Sequence, residues 1–466
     1  MTMARVSAVW TVVFLCFGVT ACAPYCRYRT NYNLLVSPTA CLSKDDEKHA
    51  LQDIPAGRDA SYLLGFIEID DQGQLHDRDQ MQAVLDELST ESGTSDLLMV
   101  VFVHGWKHSA APDDGNIKTF RKVLAKLAET ESYHKVSGVP ARRVAGIYIG
   151  WRGGSIPLPL IEDLTFWDRK NTAQKVGTGG VTEIVTRLES VKVTRDSMAG
   201  GASDTRLVIV GHSFGGAVVN AALVQILEDR FVRPVGPAAN QAEVPGFGNL
   251  VVLINPAFEA LLFAPLSNMA TERGTYPTTQ LPVLLELTSE ADAATGCAFP
   301  IGRWFSTLFE HTSNRKRYNG TTKRDETISE QAANVTALGH FMPYQTHWLY
   351  PADKRARGEI KELTVDASVN SLAGTARSWA HDEAGSKILF VEDLSEKKEL
   401  LVLERTPESA GRNPYLLVRV DERLIKNHND IADPRVIEFV TQIILLSTQT
   451  PKQVEHMRNQ ASEGSP

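Results

Sequence analysis

Arg206-Leu207-Val208-Ile209-Val210-Gly211-His212-Ser213-Phe214-Gly215-Gly216, continuing as Ala217-Val218-Val219-Asn220-Ala221-Ala222-Leu223-Val224-Gln225-Ile226-Leu227, decides how this chain is read. No charged residue falls between Leu207 and Leu227, so a membrane span has to be considered first. A span needs about 18 or more apolar residues in a row. This run is cut by Gly211, His212, Ser213, Gly215 and Gly216, and Asn220 and Gln225 follow. Leu207 to Val210 is a short β-branched run suited to a strand buried on both faces. Ala217 to Leu227 places Val218, Ala221, Ala222, Val224 and Leu227 for packing as a helix. The stretch reads as strand, tight turn and buried helix.

Within it, Gly211-His212-Ser213-Phe214-Gly215 fits the G-x-S-x-G nucleophile elbow. The pattern alone is weak, because glycine is common. A strand before it and a helix after it make it specific. A turn this sharp leaves no room for a Cβ two residues either side of the serine, and it holds the serine in strained backbone. The hydroxyl then stands at a helix start, where N–H groups and the positive dipole end face a developing oxyanion.

Outward from the elbow, apolar strands alternate with amphipathic helices. Tyr62 to Ile69, Leu97 to Val103, Val144 to Ile149, Leu250 to Ile254, Val283 to Leu287 and Tyr415 to Val420 read as strands. Helices are expected over a segment carrying Met81, Val84, Leu85 and Leu88, over Ile117 to Ala128, and over Pro434 to Leu446. This alternation predicts an α/β fold, a mostly parallel sheet with helices on both faces. Residues 23–60 are expected to be an extension before a domain spanning 61–450, and 451–466 a disordered tail. Two long insertions interrupt the pattern, at about 155–198 and about 297–410. The first opens on the apolar run Ile156 to Leu160, either a lid or a packed crossover. The second includes a basic segment, Asn314 to Arg324, read as solvated surface, and an extra hairpin from Ile388 to Val391 and Leu400 to Leu403.

On these residues the chain resembles the α/β-hydrolase superfamily of serine esterases and lipases. That resemblance implies a base to take the serine proton and a carboxylate to orient the base, in the order Ser, acid, His. The acid is expected a few residues past the strand Val283 to Leu287, at Asp292, with Glu290 the alternative. As a bland reading, Asp292 caps the following helix. The base is expected between the last strand and the last helix, at His428. His340 and His347, in a segment with several aromatics, are the rival imidazoles and otherwise pocket-wall or core groups. The oxyanion hole falls to the backbone N–H groups of Phe214 and Trp106. Only Gly105 stands where lipases carry a longer glycine-rich loop. His104 and His212 flank the site and read as structural.

The implied activity is hydrolysis of carboxylic esters through an acyl-enzyme, with no metal or organic cofactor and a small-molecule or lipid ester as substrate. An acyltransferase or amidase could use the same residues, and a binding scaffold on an inactive hydrolase fold is the rival from another class. The net charge of −8 offers no basic footing for nucleic acid. At 466 residues, 43% hydrophobic and 22% charged, the chain can build a sizeable core. Residues 1–22 are expected to be a signal peptide, with Arg5 ahead of an apolar stretch too short for a confident span. Val19-Thr20-Ala21-Cys22 resembles a bacterial lipobox. Lipidation at Cys22 would fix the protein to the cell envelope, the outer membrane favoured; plain secretion or an uncleaved anchor are the other readings. Export would permit a Cys26–Cys41 disulfide and leave Cys297 as a small buried thiol. No cysteine or histidine spacing matches structural zinc.

Overall fold

The computed structural model describes residues 27–57, 60–136, 141–153, 169–201, 203–233, 242–307, 310–352, 372–394, 397–431 and 433–448. In chain order these form β1 (Asn31–Val36), β2 (His49–Pro55), β3 (Ser61–Ile69), α1 (Arg78–Thr94), β4 (Leu97–Val103), α2 (Gly115–Val136) and β5 (Arg143–Trp151). Next come α3 (Thr182–Met198), β6 (Arg206–His212), α4 (Phe214–Val232), β7 (Leu250–Ile254), α5 (Ala264–Arg273) and β8 (Leu284–Ser289). The later part holds α6 (Phe299–Ser306), β9 (Asn314–Asn319), β10 (Arg324–Ser329), α7 (Glu330–Val335) and β11 (His347–Pro351). It closes with α8 (Leu372–Ala380), β12 (Lys387–Leu394), β13 (Lys397–Arg405), β14 (Tyr415–Val420) and α9 (Pro434–Ser447).

Among the described residues one sheet runs β1-β2-β3-β5-β4-β6-β7-β8-β14-β11-β13-β12. Every pairing from β3 across to β11 is parallel. The uninterrupted apolar run of β4 follows from burial on both faces. Met99, Val101 and Val103 enter the core under α1, α3, α4 and α5, while Leu98, Val100 and Phe102 enter the core under α2, α8 and α9. The elbow strand does the same with Leu207 and Ile209 on one side and Val208 and Val210 on the other. In register, β6 lies between β4 and β7, with Val103 opposite Gly211 and Ile254 opposite His212. The serine therefore emerges near the middle of the sheet, at the carboxyl ends of its parallel strands, where ligands of open α/β sheets bind.

The sheet is wider than the sequence pattern predicts. The segment assigned to an extension supplies β1 and β2, and β2 pairs antiparallel with β3. Gln52 in β2 is fully buried yet polar, and it accepts a hydrogen bond from Arg121 at 2.9 Å, so this strand carries no clean apolar alternation. At the other end the second insertion contributes β11, β13 and β12 to the main sheet, with β12 and β13 forming the expected hairpin. The basic segment is a separate hairpin, β9 with β10. The described half of the first insertion, from Arg169 onward, is a helical crossover between β5 and β6. It buries Ala173, Val176, Ile184, Val185 and Leu188. The run Ile156 to Leu160 lies outside the described residues, as do the signal segment with Cys22, Cys26 and the tail 451–466.

Cys297 corrects the expectation of a buried thiol: it is exposed, and Cys41 is exposed and unbridged among the described residues. The turn carrying Cys297 points Thr295 and Phe299 inward instead. Among the described residues no helix is long and apolar enough to cross a membrane. None of their His, Cys, Asp and Glu side chains gather in a group of three or more suited to a metal ion.

Candidate active site

β6 ends at His212, and α4 begins at Phe214, leaving one residue to turn the chain. That residue is Ser213, with φ 56° and ψ −121°, a conformation strained for a side chain. Backbone hydrogen bonds over-determine it, among them one from Gly216 N–H to the Ser213 carbonyl at 3.0 Å. The Ser213 N–H donates to the Ile254 carbonyl at 2.9 Å, and its carbonyl accepts from Ala257 at 3.1 Å and Ala217 at 3.3 Å. The flanking glycines are sterically required. A Cβ on Gly215 would overlap the Val103 carbonyl oxygen, and one on Gly211 would stand 2.6 Å from the Gly215 carbonyl.

His428 lies in the loop between β14 and α9. Its Nε2 is 2.6 Å from Ser213 Oγ, and its Nδ1 is 2.8 Å from Asp292 Oδ2. Ionised Asp292 can only accept, so Nδ1 carries the proton and Nε2 is left to receive one from the serine. The imidazole retains 18% side-chain exposure while the Asp292 side chain retains none, so the ring is reachable and the acid is not. Asp292 Oδ1 also accepts from the N–H groups of Ala294 at 3.0 Å and Thr295 at 3.1 Å. One Asp292 oxygen thus faces His428 and the other faces the N–H groups of the turn that follows. Burial alone would raise this carboxyl, but the bonds from His428 and Thr295 overcome it and hold it below the usual carboxylate range.

Among the described residues, none of the rivals hydrogen-bonds Ser213 or His428. Glu290 is ion-paired with Arg419 at 2.7 Å on the surface. His347 begins β11, fully buried, with Nδ1 at 2.8 Å from the Thr346 hydroxyl and Nε2 without a hydrogen-bond partner among the described residues. Burial drives its pKa well below the ordinary histidine value, keeping it neutral. His340 stands beside the acid: its Nε2 is 3.0 Å from the Thr295 hydroxyl, which itself donates to Asp292 Oδ2.

Two further residues hold His428: Asn255, which the sequence did not single out, and His212, which it read as structural. The His428 carbonyl accepts from Asn255 Nδ2 at 3.0 Å and from His212 Nε2 at 3.1 Å. Asn255, at φ 45° just after β7, also accepts from Ser289 N at 3.0 Å, tying the serine, acid and base loops together. Burial holds His212 at about 3, so it stays neutral and keeps this role at any working pH. Asn255 carried no motif in the sequence; its signal was only its place after the strand beside the elbow.

On the opposite side, Gly105 comes so close that a Cβ there would lie 2.7 Å from Ser213 Cβ. His104, buried and held by desolvation at about 4, stacks on Trp151 with ring centroids 5.6 Å apart. Its carbonyl accepts from Trp151 Nε1 at 2.8 Å, which fixes the Gly105–Trp106 turn beside the serine. Phe214, the other expected oxyanion donor, is the first residue of α4.

The sheet, its covering helices and the strand-to-serine-to-helix turn make this an α/β-hydrolase-like fold. Neither protein-family models nor curated protein sequences yield a match to the chain. Among solved structures it is similar to phospholipase PlaB from Legionella pneumophila in complex with thio-NAD, at 14% identity and a TM-score of 0.24. A second structure of phospholipase PlaB from the same organism shows 13% identity and a TM-score of 0.26. The matches cover 78% of this chain and 63% and 64% of those chains, so it spans less than two thirds of their length.

Proposed function

We propose that the protein is a serine hydrolase that cleaves carboxylic esters through an acyl-enzyme. The observation that carries this reading is the continuous line Ser213 Oγ to His428 Nε2 to Asp292 Oδ2, at 2.6 and 2.8 Å. As Oγ attacks the ester carbonyl, its proton passes to His428 Nε2, and the buried Asp292 carboxylate stabilises the imidazolium. In this reading the tetrahedral oxygen is held by the Trp106 amide and by the Phe214 amide, the latter at a helix start that favours negative charge. The C–O bond to the leaving alcohol breaks as His428 returns the proton to it. Water then attacks the acyl-serine with His428 again as base, releasing the acid and restoring Oγ–H.

The substrate in this reading is a small-molecule or lipid ester. Lipidation at Cys22 would bring the site to an envelope membrane, which palmitate labelling lost in Cys22→Ala tests. A fluorophosphonate probe tests the chemistry. Labelling of the intact chain that vanishes in Ser213→Ala, together with loss of p-nitrophenyl ester hydrolysis, is the expected result. A folded protein that takes no probe would replace the hydrolase reading with that of a binding scaffold.

A further inference from the structure

Beside the acid stands an imidazole that the ester mechanism leaves without a task. His340 ends the short turn Leu338–His340, half-buried, and its backbone N–H donates to the Ala337 carbonyl at 3.0 Å. Close approaches on two sides fix where its ring goes. A Cβ on Gly339 would overlap Thr288 Oγ1 and Glu286 Oε1 of β8, so the turn lies hard against the sheet. A Cβ on Gly296 would stand 3.2 Å from His340 Cε1, so the ring rests on the turn that follows Asp292. Gln345 Nε2 secures the segment from the other end, donating to the Gly339 carbonyl at 2.8 Å.

Counting protons gives each bond its direction. Ionised Asp292 only accepts, so the single hydroxyl proton of Thr295 goes to Asp292 Oδ2. Toward His340, 3.0 Å away, Thr295 Oγ1 can then only accept, and Nε2 must carry a hydrogen. Burial lowers the His340 pKa from the ordinary histidine value; Asp292 pulls it up, while Arg419 and His428 add to the lowering. The ring is therefore neutral at neutral pH, and its one ring proton is spent on Thr295. A threonine in a helical turn divides between two rotamers, because its hydroxyl can also bond a carbonyl of the preceding turn. A donor from His340 keeps Oγ1 on the side of the acid. It also polarises the hydroxyl, which strengthens the bond that hydroxyl makes to the buried carboxylate.

We propose that His340 is a positioning residue for Asp292, acting through the Thr295 hydroxyl to keep the acid, and with it His428, in line with Ser213. This rests on the hydrolase reading. Kinetics of p-nitrophenyl butyrate hydrolysis by the full chain test it, comparing His340→Gln with His340→Asn. The Gln amide reaches about as far as imidazole Nε2 and can donate to Thr295; the Asn amide has the same chemistry and stops one methylene short. For Asn, kcat/KM is expected to fall about three- to tenfold, through kcat and with KM little changed, and Gln is expected to restore most of that loss. His340→Ser, shorter still, repeats the comparison with a second side chain. In a Thr295→Val background His340→Asn is expected to cost nothing further, because the group it acts through is gone. Wild-type turnover in both Asn and Ser variants, equal losses in Asn and Gln, or losses from Asn and Thr295→Val that multiply would each overturn the proposal while Ser213-dependent hydrolysis stands. A wild-type chain without Ser213-dependent hydrolysis would instead remove the hydrolase reading, and this role with it.

Discussion

Thr295→Val removes one hydroxyl from beneath the acid and leaves the side-chain shape nearly unchanged. That hydroxyl donates to Asp292 Oδ2 and receives His340 Nε2 at 3.0 Å. Asp292 would keep the His428 contact and the N–H groups of Ala294 and Thr295. A hydrogen bond to a buried charge contributes about 1.5–3 kcal/mol. At about 1.4 kcal/mol per decade, the expected fall in kcat/KM is roughly tenfold, with about a hundredfold as the limit if the whole loss bears on the imidazolium. Stability at neutral pH should fall by a similar 1.5–3 kcal/mol, roughly. The sign with pH follows from the Asp292 carboxyl lying below its ordinary value when folded. Its contribution is complete above the unfolded value of about 3.9 and disappears as pH falls through the lower folded value. The gap between variant and wild type should therefore be full at neutral pH and close only at the acid extreme. Urea unfolding at both ends of that range, with p-nitrophenyl butyrate kinetics alongside, reads both effects. A variant matching wild type in rate and stability at neutral pH would refute the role given to this hydroxyl.

Other consequences are as direct. Burial pushes the Glu286 carboxyl up to about 8, so between the unfolded value near about 4.3 and there, the folded chain holds a proton the unfolded chain has lost. Wild-type stability should decline with rising pH across that window, and Glu286→Gln should flatten the decline; parallel urea-midpoint profiles would count against it. Asn255→Ala removes a donor to the His428 carbonyl, and kcat should fall about tenfold or more with KM little changed. Fluorophosphonate labelling as fast as wild type would speak against that. Gly215→Ala puts a methyl into the Val103 carbonyl, and a loss of more than about 3 kcal/mol in unfolding free energy is expected by denaturant titration.

The centre of this molecule was readable because its constraints are local. Steric exclusion at Gly211 and Gly215 and two-sided burial of Leu207 to Val210 leave marks in neighbouring residues. The resemblance to α/β-hydrolases then implied where an acid and a base would stand, and in the structure His428 lies between Ser213 and Asp292. What escaped depends on partners distant in sequence. β2 hides its strand character because buried Gln52 is matched by Arg121, and β1 pairs with it through a half-exposed face. His347 sits at the head of β11 in a segment whose prolines and aromatics obscure the strand. The bonds from Thr295 to Asp292 and from Asn255 to His428 span loops that no spacing rule connects.

The backbone of residue 213 also narrows which chemistry natural variation can install there. Threonine carries the same attacking oxygen, yet its second Cβ substituent is poorly tolerated at a φ of 56°. Under the proposed function, alcohol chemistry at the head of α4 is thereby confined to a side chain with a single γ atom, and a drift from Ser to Thr, silent on many surfaces, would here be an inactivating event.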